Sequence, residues 1–228
     1  MSRILFIGAH PDDVELGCGG TISKFSDLGY NISVLIIAEG TSGRFDEKDK
    51  DTKKVATHIQ NRKQNCTNSL KILGVNNIKF CDLPCGNLNI VPLLKINKLI
   101  EDEIRSFKPE IIFTHSSVDT NKDHRIVFES TKIATRPSAF SFVKKVFSYE
   151  VLSSTECSFL EVFSPKHFIV LSKEHLERKN KALACYNTEI KEFPHPRSLK
   201  GVEVLAKFRG MQINKEYAES FEILRSIL

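Results

Sequence analysis

Histidine and aspartate residues follow two apolar segments of the chain, in a pattern that suits metal chemistry. The stretch AHPDD, residues 9–13, comes directly after the apolar run ILFIG. His10 and Asp13 stand three residues apart at a predicted strand-to-helix turn, so their side chains can converge on one point. Taken alone, the stretch has a simpler explanation, because Asp12 or Asp13 could cap the following helix.

A second cluster favours the metal site. The stretch HSSVDTNKDHR, residues 115–125, follows the apolar segment EIIFT and contains His115, Asp119, Asn121, Asp123 and His124. A solvated acidic loop does not need two histidines, although each could be a hydrogen-bonded surface residue. Two imidazoles and one carboxylate that leave an open position suit catalytic Zn²⁺, and Fe²⁺ uses the same ligand set.

The elements that position these clusters alternate between strand and helix patterns. Short apolar runs predict strands at Ile4–Gly8, Ile32–Ala38, Ile78–Cys81, Glu110–Thr114, Val146–Val151 and His167–Val170. Helical spacing predicts helices at Thr21–Leu28, 53–73, Val91–Phe107, Arg125–Thr135, Lys173–Tyr186 and Glu203–Arg209. We expect a polar loop at Glu39–Asp51, a rigid loop at 193–198 and an amphipathic tail up to Leu228. The alternation predicts an α/β fold with a mostly parallel sheet, whose strands place both clusters at their carboxyl ends.

Length and composition limit the class of protein. With 228 residues, 41% hydrophobic and 27% charged, the chain is expected to form one globular domain over residues 1–228. Its net charge of +5 is spread along the sequence, so no nucleic-acid partner is expected. No apolar run could span a bilayer and no signal-peptide pattern is present, so we expect a cytoplasmic protein without a membrane partner. Six scattered cysteines predict free thiols.

The two clusters together resemble those of a known family. The stretch ILFIGAHPDDVELGCGGTI, an arginine that precedes LGV, and DTNKDHRIVFESTKIATRP are similar to the PIG-L/LmbE-like deacetylases. These are zinc hydrolases that remove acetyl groups from N-acetylglucosamine-type sugars. The later stretches YEVLSSTE, FPHPRS, LAKFRG and YAESFEILR resemble a bacterial branch associated with sugar biosynthesis. The resemblance implies a Rossmann-like, three-layer α/β/α fold with its metal site at the carboxyl ends of the strands.

The resemblance implies a role for each residue of the clusters. It makes His10, Asp13 and His124 the metal ligands. Asp12 matches the family's general base, which takes a proton from the attacking water. Asp119 is expected to orient a ligand imidazole or to cap its loop, and Asp123 has the same two explanations.

Two positions depart from the family pattern. Arg62 matches a substrate-binding arginine, but Asn65 stands where many relatives carry an acid. A surface position on a lysine-rich helix is the competing explanation for Arg62. Asn121 replaces a histidine that stabilises the oxyanion or protonates the leaving amine. Its amide can donate a hydrogen bond but cannot deliver a proton at neutral pH.

The departure at position 121 leaves the proton donor open. The candidates are Asp12 itself, which would return the proton that it took, His195 in FPHPRS, and His115. For His195 the competing explanation is a histidine held between two prolines for the geometry of the turn.

These features predict a zinc-dependent hydrolase that deacetylates an N-acetylated amino sugar. Substrate contacts are expected from Arg62, Arg44, His115 and Arg136, and the three arginines suggest an anionic carrier such as a nucleotide. Within the hydrolases, the alternative is an amidase for a thiol-containing or other non-sugar conjugate. From another class, the alternative is a non-catalytic sugar- or nucleotide-binding module. Some relatives form hexamers, so a homo-oligomer stays open.

Overall fold

The computed structural model describes residues 2–46 and 53–227, which contain seven strands and six α-helices. The strands are β1 Arg3–Gly8, β2 Asn31–Ala38, β3 Asn77–Leu83, β4 Ile111–His115, β5 Lys145–Tyr149, β6 His167–Leu171 and β7 Tyr217–Ser226. The helices are α1 Asp13–Asp27, α2 Lys53–Ile72, α3 Leu93–Phe107, α4 Lys122–Ala134, α5 Lys173–Leu183 and α6 Leu199–Met211. Part of the predicted loop Glu39–Asp51, residues 47–51, lies outside the described residues, as does Leu228.

All seven strands form one sheet in the order β3-β2-β1-β4-β5-β7-β6. The five strands from β3 to β5 are parallel, whereas β7 runs antiparallel to β5 and β6. The predicted α/β fold with a mostly parallel sheet is confirmed. Because β1 lies beside β4, the turn after β1 and the loop after β4 meet at one edge of the sheet.

Helices cover both faces of the sheet. In β1, Ile4 and Phe6 face a core formed with α1, α2, α5 and α6, whereas Leu5 and Ile7 face a core formed with α3 and α4. This division follows from the alternation of side chains along a strand. The predicted three-layer α/β/α arrangement is therefore confirmed.

Two elements differ from the sequence prediction. Helix α1 begins at Asp13, eight residues before the predicted start, because the glycines between allow the helix to lie close to the sheet. A Cβ on Gly17 would clash with the ring of Tyr149. The predicted amphipathic tail is strand β7, which is inserted between β5 and β6.

Two expectations from composition can be compared with the structure. All six cysteines are free thiols, as predicted. Within the described ranges, no helix combines the length and the apolar character that crossing a bilayer requires.

A buried ion pair joins β7 and α5 to α1. Lys179 Nζ lies 2.6 Å from Glu219 Oε1 and donates to the backbone oxygen of Leu16 at 2.7 Å. The same carboxylate accepts from the backbone N–H groups of Gly20 and Thr21, at 2.9 and 2.7 Å. These contacts hold the helix that carries Asp13 against the sheet.

We predict that Glu219→Ala lowers the free energy of unfolding by about 3–5 kcal/mol, because it leaves the Lys179 ammonium buried and unpaired. Urea unfolding followed by circular dichroism measures the change. Glu177→Ala, which removes an exposed partner of Lys173 3.9 Å away, serves as control and should change stability by less than about 0.5 kcal/mol. A loss below about 1 kcal/mol for Glu219→Ala would contradict a structural role of the pair.

Candidate metal centre and active site

The AHPDD stretch forms the turn between β1 and α1. Asp12 has a φ of 105°, in the left-handed region that few residues other than glycine adopt. Its side chain caps no N–H of α1, although it occupies the N-cap position. Asp13 begins the helix, and its Oδ2 accepts a hydrogen bond from the backbone N–H of His10 at 2.7 Å. The simple capping explanation therefore fails for Asp12.

Three side-chain atoms from the turn, α1 and α4 converge on one point. His10 Nδ1, Asp13 Oδ2 and His124 Nε2 lie 3.3 Å from one another in each of the three pairs. The residues are only 8%, 1% and 1% exposed. The turn after β1 and the start of α4 thus bring together the three residues that the resemblance implies as ligands.

The geometry of this triangle fits a tetrahedral metal ion. Ligand atoms at roughly 2.0–2.1 Å from Zn²⁺ in tetrahedral coordination lie about 3.3–3.4 Å apart. The charge distribution also fits a cation. Burial lowers the pKa of His124, but Asp13 and Asp119 more than offset this and raise it to about 9. The carboxylates thus stabilise positive charge at the triangle.

Buried carboxylates hold the far side of both imidazoles. His10 Nε2 lies 2.9 Å from Asp123 Oδ2, and His124 Nδ1 lies 3.0 Å from Asp119 Oδ2. Asp123 is fixed by the backbone N–H groups of Gly86 and Leu88, at 2.6 and 3.1 Å. Histidines that ligate metals commonly have such partners, which orient the ring. The contacts match the orienting role expected for both aspartates.

His115 lies behind this cluster and is not open to a substrate. It is 0% exposed, and its ring stacks on His124 with 4.0 Å between centroids. Its Nε2 accepts from the backbone N–H of Ala9 at 2.8 Å. Burial and the neighbouring His124 lower its pKa to about 4, so the imidazole is neutral at pH 7. The structure gives no support to the prediction that His115 contacts the substrate, and a neutral imidazole does not supply the missing proton.

The carboxylate of Asp12 is held by two arginines. Arg62 Nη2 and Arg197 Nη1 each lie 3.0 Å from its Oδ2. No described residue hydrogen bonds to Oδ1. Burial raises the pKa of Asp12, and the two guanidinium groups oppose that rise. One oxygen is thus fixed while the other stays available.

Arg62 is a buried part of the site rather than a surface residue. It is 7% exposed on α2, and Nη2 also donates to the backbone oxygen of Pro11 at 2.9 Å. Its Nη1 pairs with Glu189, from the segment between α5 and α6. The surface explanation is wrong. Many relatives carry an acid at the position of Asn65. In this protein Glu189 and Asp12 are the carboxylates that pair with Arg62.

The other two predicted substrate arginines have protein partners. Arg44, half-exposed, donates to both carboxylate oxygens of Glu189, at 2.5 and 2.8 Å. Arg136 follows the carboxyl end of α4 and lies 3.6 Å from Glu101 of α3. Because α4 is about 20 Å long and the metal cluster is at its other end, Arg136 is too distant for the predicted contact.

Asn121 and His195, the two other residues expected to act in catalysis, both make structural contacts. Asn121 caps α4, and its Oδ1 accepts from the backbone N–H of Asp123 at 2.9 Å. No described contact joins its amide to Asp12 or to the three-atom cluster. His195 is exposed, and its Nδ1 accepts from the backbone N–H of Arg197 at 3.0 Å. These contacts are structural, and the catalytic roles expected for the two residues stay predictions.

Sequence reasoning missed Arg197 and Glu189. Arg197 stands in FPHPRS, where a search for a proton donor favours the histidine two residues earlier. An arginine stays charged near neutral pH, so a search for proton donors passes over it. Glu189 lies in no motif, and only the packing of α5 beside α2 brings it to Arg62.

Comparison with known proteins identifies the same family that the sequence motifs resemble. The family model PIG-L, described as GlcNAc-PI de-N-acetylase, matches residues 5–135. The chain is 30% identical to the uncharacterized deacetylase YaiS of Escherichia coli K12 over 191 residues, 79% of this chain and 88% of that protein. It is 24% identical to the diacetylchitobiose deacetylase of Thermococcus kodakarensis over 234 residues, 100% of this chain and 85% of that protein.

Structural comparison shows that the fold occurs with another chemistry as well. GalB, the 4-carboxy-2-hydroxymuconate hydratase of Pseudomonas putida KT2440, superposes with a TM-score of 0.76 at 20% identity. The match covers 100% of this chain and 98% of GalB. The fold alone therefore does not distinguish hydrolysis from other reactions, and the side chains of the site have to carry the argument.

If the triangle holds a metal ion, as the resemblance implies, we predict that Asp123→Asn weakens its binding about 10–100-fold, because the imidazole of His10 loses its charged partner. Competition with a chromophoric chelator for added Zn²⁺ measures the affinity. Asp102→Asn, on the exposed side of α3, should bind the ion as the unaltered protein does. Equal affinities for the two variants would contradict the assignment of Asp123.

We predict that Glu189→Gln lowers the free energy of unfolding by about 2 kcal/mol at pH 7, because Arg62 loses a buried partner. Burial raises the pKa of Glu189, but Arg44 and Arg62 more than offset this and lower it to about 2. The stabilisation is therefore complete above the unfolded pKa of about 4.3 and is lost as the pH falls towards 2.

Urea unfolding of both proteins between pH 7 and pH 3 tests this dependence. The difference in stability should stay constant down to about pH 5 and narrow below pH 4. Glu203→Gln, in an exposed pair with Lys207, is the control and should differ little from the unaltered protein. A difference that is independent of pH would refute the charge pairing of Glu189.

Proposed function

Because this chain belongs to the PIG-L (GlcNAc-PI de-N-acetylase) family and its relatives include deacetylases, we propose that it is a metal-dependent enzyme that removes the acetyl group from an N-acetylated amino sugar. The observation that carries the proposal is the triangle of His10, Asp13 and His124 atoms beside a separately held carboxylate. A helix cap or a packing motif would not need four buried ionisable groups in this arrangement.

The proposed metal is Zn²⁺, held by His10, Asp13 and His124. Bound there, it supplies Lewis acidity towards an amide carbonyl and towards the attacking water. Fe²⁺ accepts the same ligand set, so the identity of the ion rests on metal analysis.

We assign the proton transfers to Asp12. Its Oδ1, which no described residue hydrogen bonds, takes a proton from the water that attacks the acetyl carbon. When the carbon–nitrogen bond breaks, the same carboxyl returns the proton to the leaving amine, and acetate departs. The position of His115 supports this assignment, because its imidazole is buried and neutral.

A cavity beside Arg62 and Glu189 supports a sugar as the substrate. It has a volume of about 520 Å³ and is lined by amide side chains and an aromatic ring, among them Asn61, Gln64, Asn65, Asn187 and Phe45. Amides pair well with hydroxyl groups, and a ring can pack on the apolar face of a sugar. Because Arg44 pairs with Glu189, and Arg62 pairs with Glu189 and Asp12, neither guanidinium is unpaired, which favours an uncharged sugar over a nucleotide-linked one.

The alternative function, an amidase that acts on non-sugar conjugates, would use the same metal chemistry. Comparing the rates on sugar and non-sugar amides separates it from this proposal. A binding module would bind a sugar without hydrolysis. We further infer that residues 1–228 act as a single domain, since strands from both ends of the described chain share one sheet.

We predict that Asp12→Asn lowers the rate of acetate release by about 10²–10⁴-fold while the bound metal is retained. The assay is metal analysis followed by acetate release from free and nucleotide-linked N-acetyl sugars. Asp102→Asn, at an exposed position, is the matched control and should keep full activity. If the unaltered protein binds no metal and releases no acetate, the proposed function is wrong. If Asp12→Asn retains full turnover, the role of Asp12 is wrong.

A further inference from the structure

We propose that Arg197 is a positioning residue that fixes the Asp12 carboxylate by joining it to the loop of residues 152–155. The hydroxyl groups of this 152–155 loop also hold Asp119, which lies behind His124. The inference rests on the proposed function, because the orientation of Asp12 matters for turnover only if this carboxylate transfers the proton.

The side chain of Asp12 has little restraint from its own turn. Its backbone adopts a left-handed conformation, and its side chain makes no capping hydrogen bond to α1. Among the described residues, only Arg62 and Arg197 pair with the carboxylate, and both approach Oδ2. Two guanidinium groups from different segments therefore fix Oδ2 and, through it, the direction in which Oδ1 points.

The two arginines are anchored differently. Arg62 is also drawn towards Glu189 and the backbone oxygen of Pro11. Arg197 donates through Nε to Ser153 Oγ at 2.7 Å and to the backbone oxygen of Leu152 at 3.3 Å. The guanidinium of Arg197 thus spans the distance between Asp12 and the 152–155 loop.

The 152–155 loop is itself part of the metal side of the site. Ser154 Oγ donates to Asp119 Oδ1, and Thr155 Oγ1 donates to Asp119 Oδ2 at 2.6 Å. Asp119 in turn lies 3.0 Å from His124 Nδ1. A displacement of the loop would therefore move the support of a metal ligand and the support of Asp12 together.

Neighbouring residues fix Arg197 at the entrance to α6. Its backbone N–H donates to His195 Nδ1 at 3.0 Å, and the next residue, Ser198, caps the helix through Gly201 N–H at 2.9 Å. The side chain is 19% exposed. The imidazole of His195 thus holds the backbone of the residue whose side chain reaches Asp12.

The test compares Arg197→Ala, Arg197→Lys and Ser153→Ala with the unaltered holoenzyme. We expect Arg197→Ala to lower kcat about 100-fold, as a misplaced catalytic group does. KM should change less than about threefold, and the zinc affinity should be unchanged. Low, non-denaturing guanidinium chloride should restore at least a tenth of the lost kcat, and Arg197→Lys should lie between the two proteins.

Arg178→Ala is the matched control, because it removes another arginine that makes two hydrogen bonds to a carboxylate, Asp27. It should keep its kcat and gain nothing from guanidinium. Ser153→Ala should lose a smaller part of kcat, and the double variant Ser153→Ala/Arg197→Ala should be no slower than Arg197→Ala alone. Unchanged kcat in Arg197→Ala, a loss that parallels loss of metal, or strictly additive effects would each overturn the proposal.

A measurement without substrate separates this inference from the proposed function. In nuclear magnetic resonance, the guanidinium protons of Arg197 should exchange slowly, and Asp12→Ala should speed their exchange. If the unaltered protein releases no acetate but this protection is present, the proposed function fails while the contact stands. If exchange is fast in an active enzyme, the positioning role of Arg197 fails.

Discussion

A buried carboxylate surrounded by three imidazoles is the constraint on which the rest of the site depends. Asp13 Oδ2 belongs to a residue that is 1% exposed, and it lies within 3.4 Å of nitrogens from His10, His115 and His124. An ionised carboxylate without such partners would be strongly unfavourable at this depth. The fold meets the requirement by placing β4 next to β1, so that residues 115 and 124 approach the start of α1.

The parts of this arrangement that local patterns encode could be predicted. Short apolar runs separated by helical segments predicted the parallel sheet and its helical layers, because each pattern reflects burial of one element. That the two His/Asp clusters meet followed from one geometric rule, that parallel strands end at the same edge, whereas the choice of His10, Asp13 and His124 among them came from the family resemblance. Helix α1 begins earlier than its periodicity indicated.

The parts that depend on contacts between distant residues could not be predicted. Arg197 meets Asp12 across 185 positions of sequence, and no periodicity marks that pairing. For Asn121, its place before α4 gives the amide oxygen a capping role that the family pattern did not indicate, and no described contact joins its amide nitrogen to the site. Strand β7 could not be predicted either, because its sequence pattern also suits an amphipathic surface tail. Only its pairing with β5 and β6 makes it a strand within the sheet.

The insertion of β7 sets an order for the formation of the site during synthesis. Within the described residues, β6 pairs only with β7, which is made after every other strand. The chain leaves the ribosome amino end first. His10, Asp13 and His124 emerge about ninety positions or more before β7, and β6 can join the sheet only after β7 has been made. The strand that completes the sheet is therefore the last one to be synthesised among those described, long after the residues of the triangle.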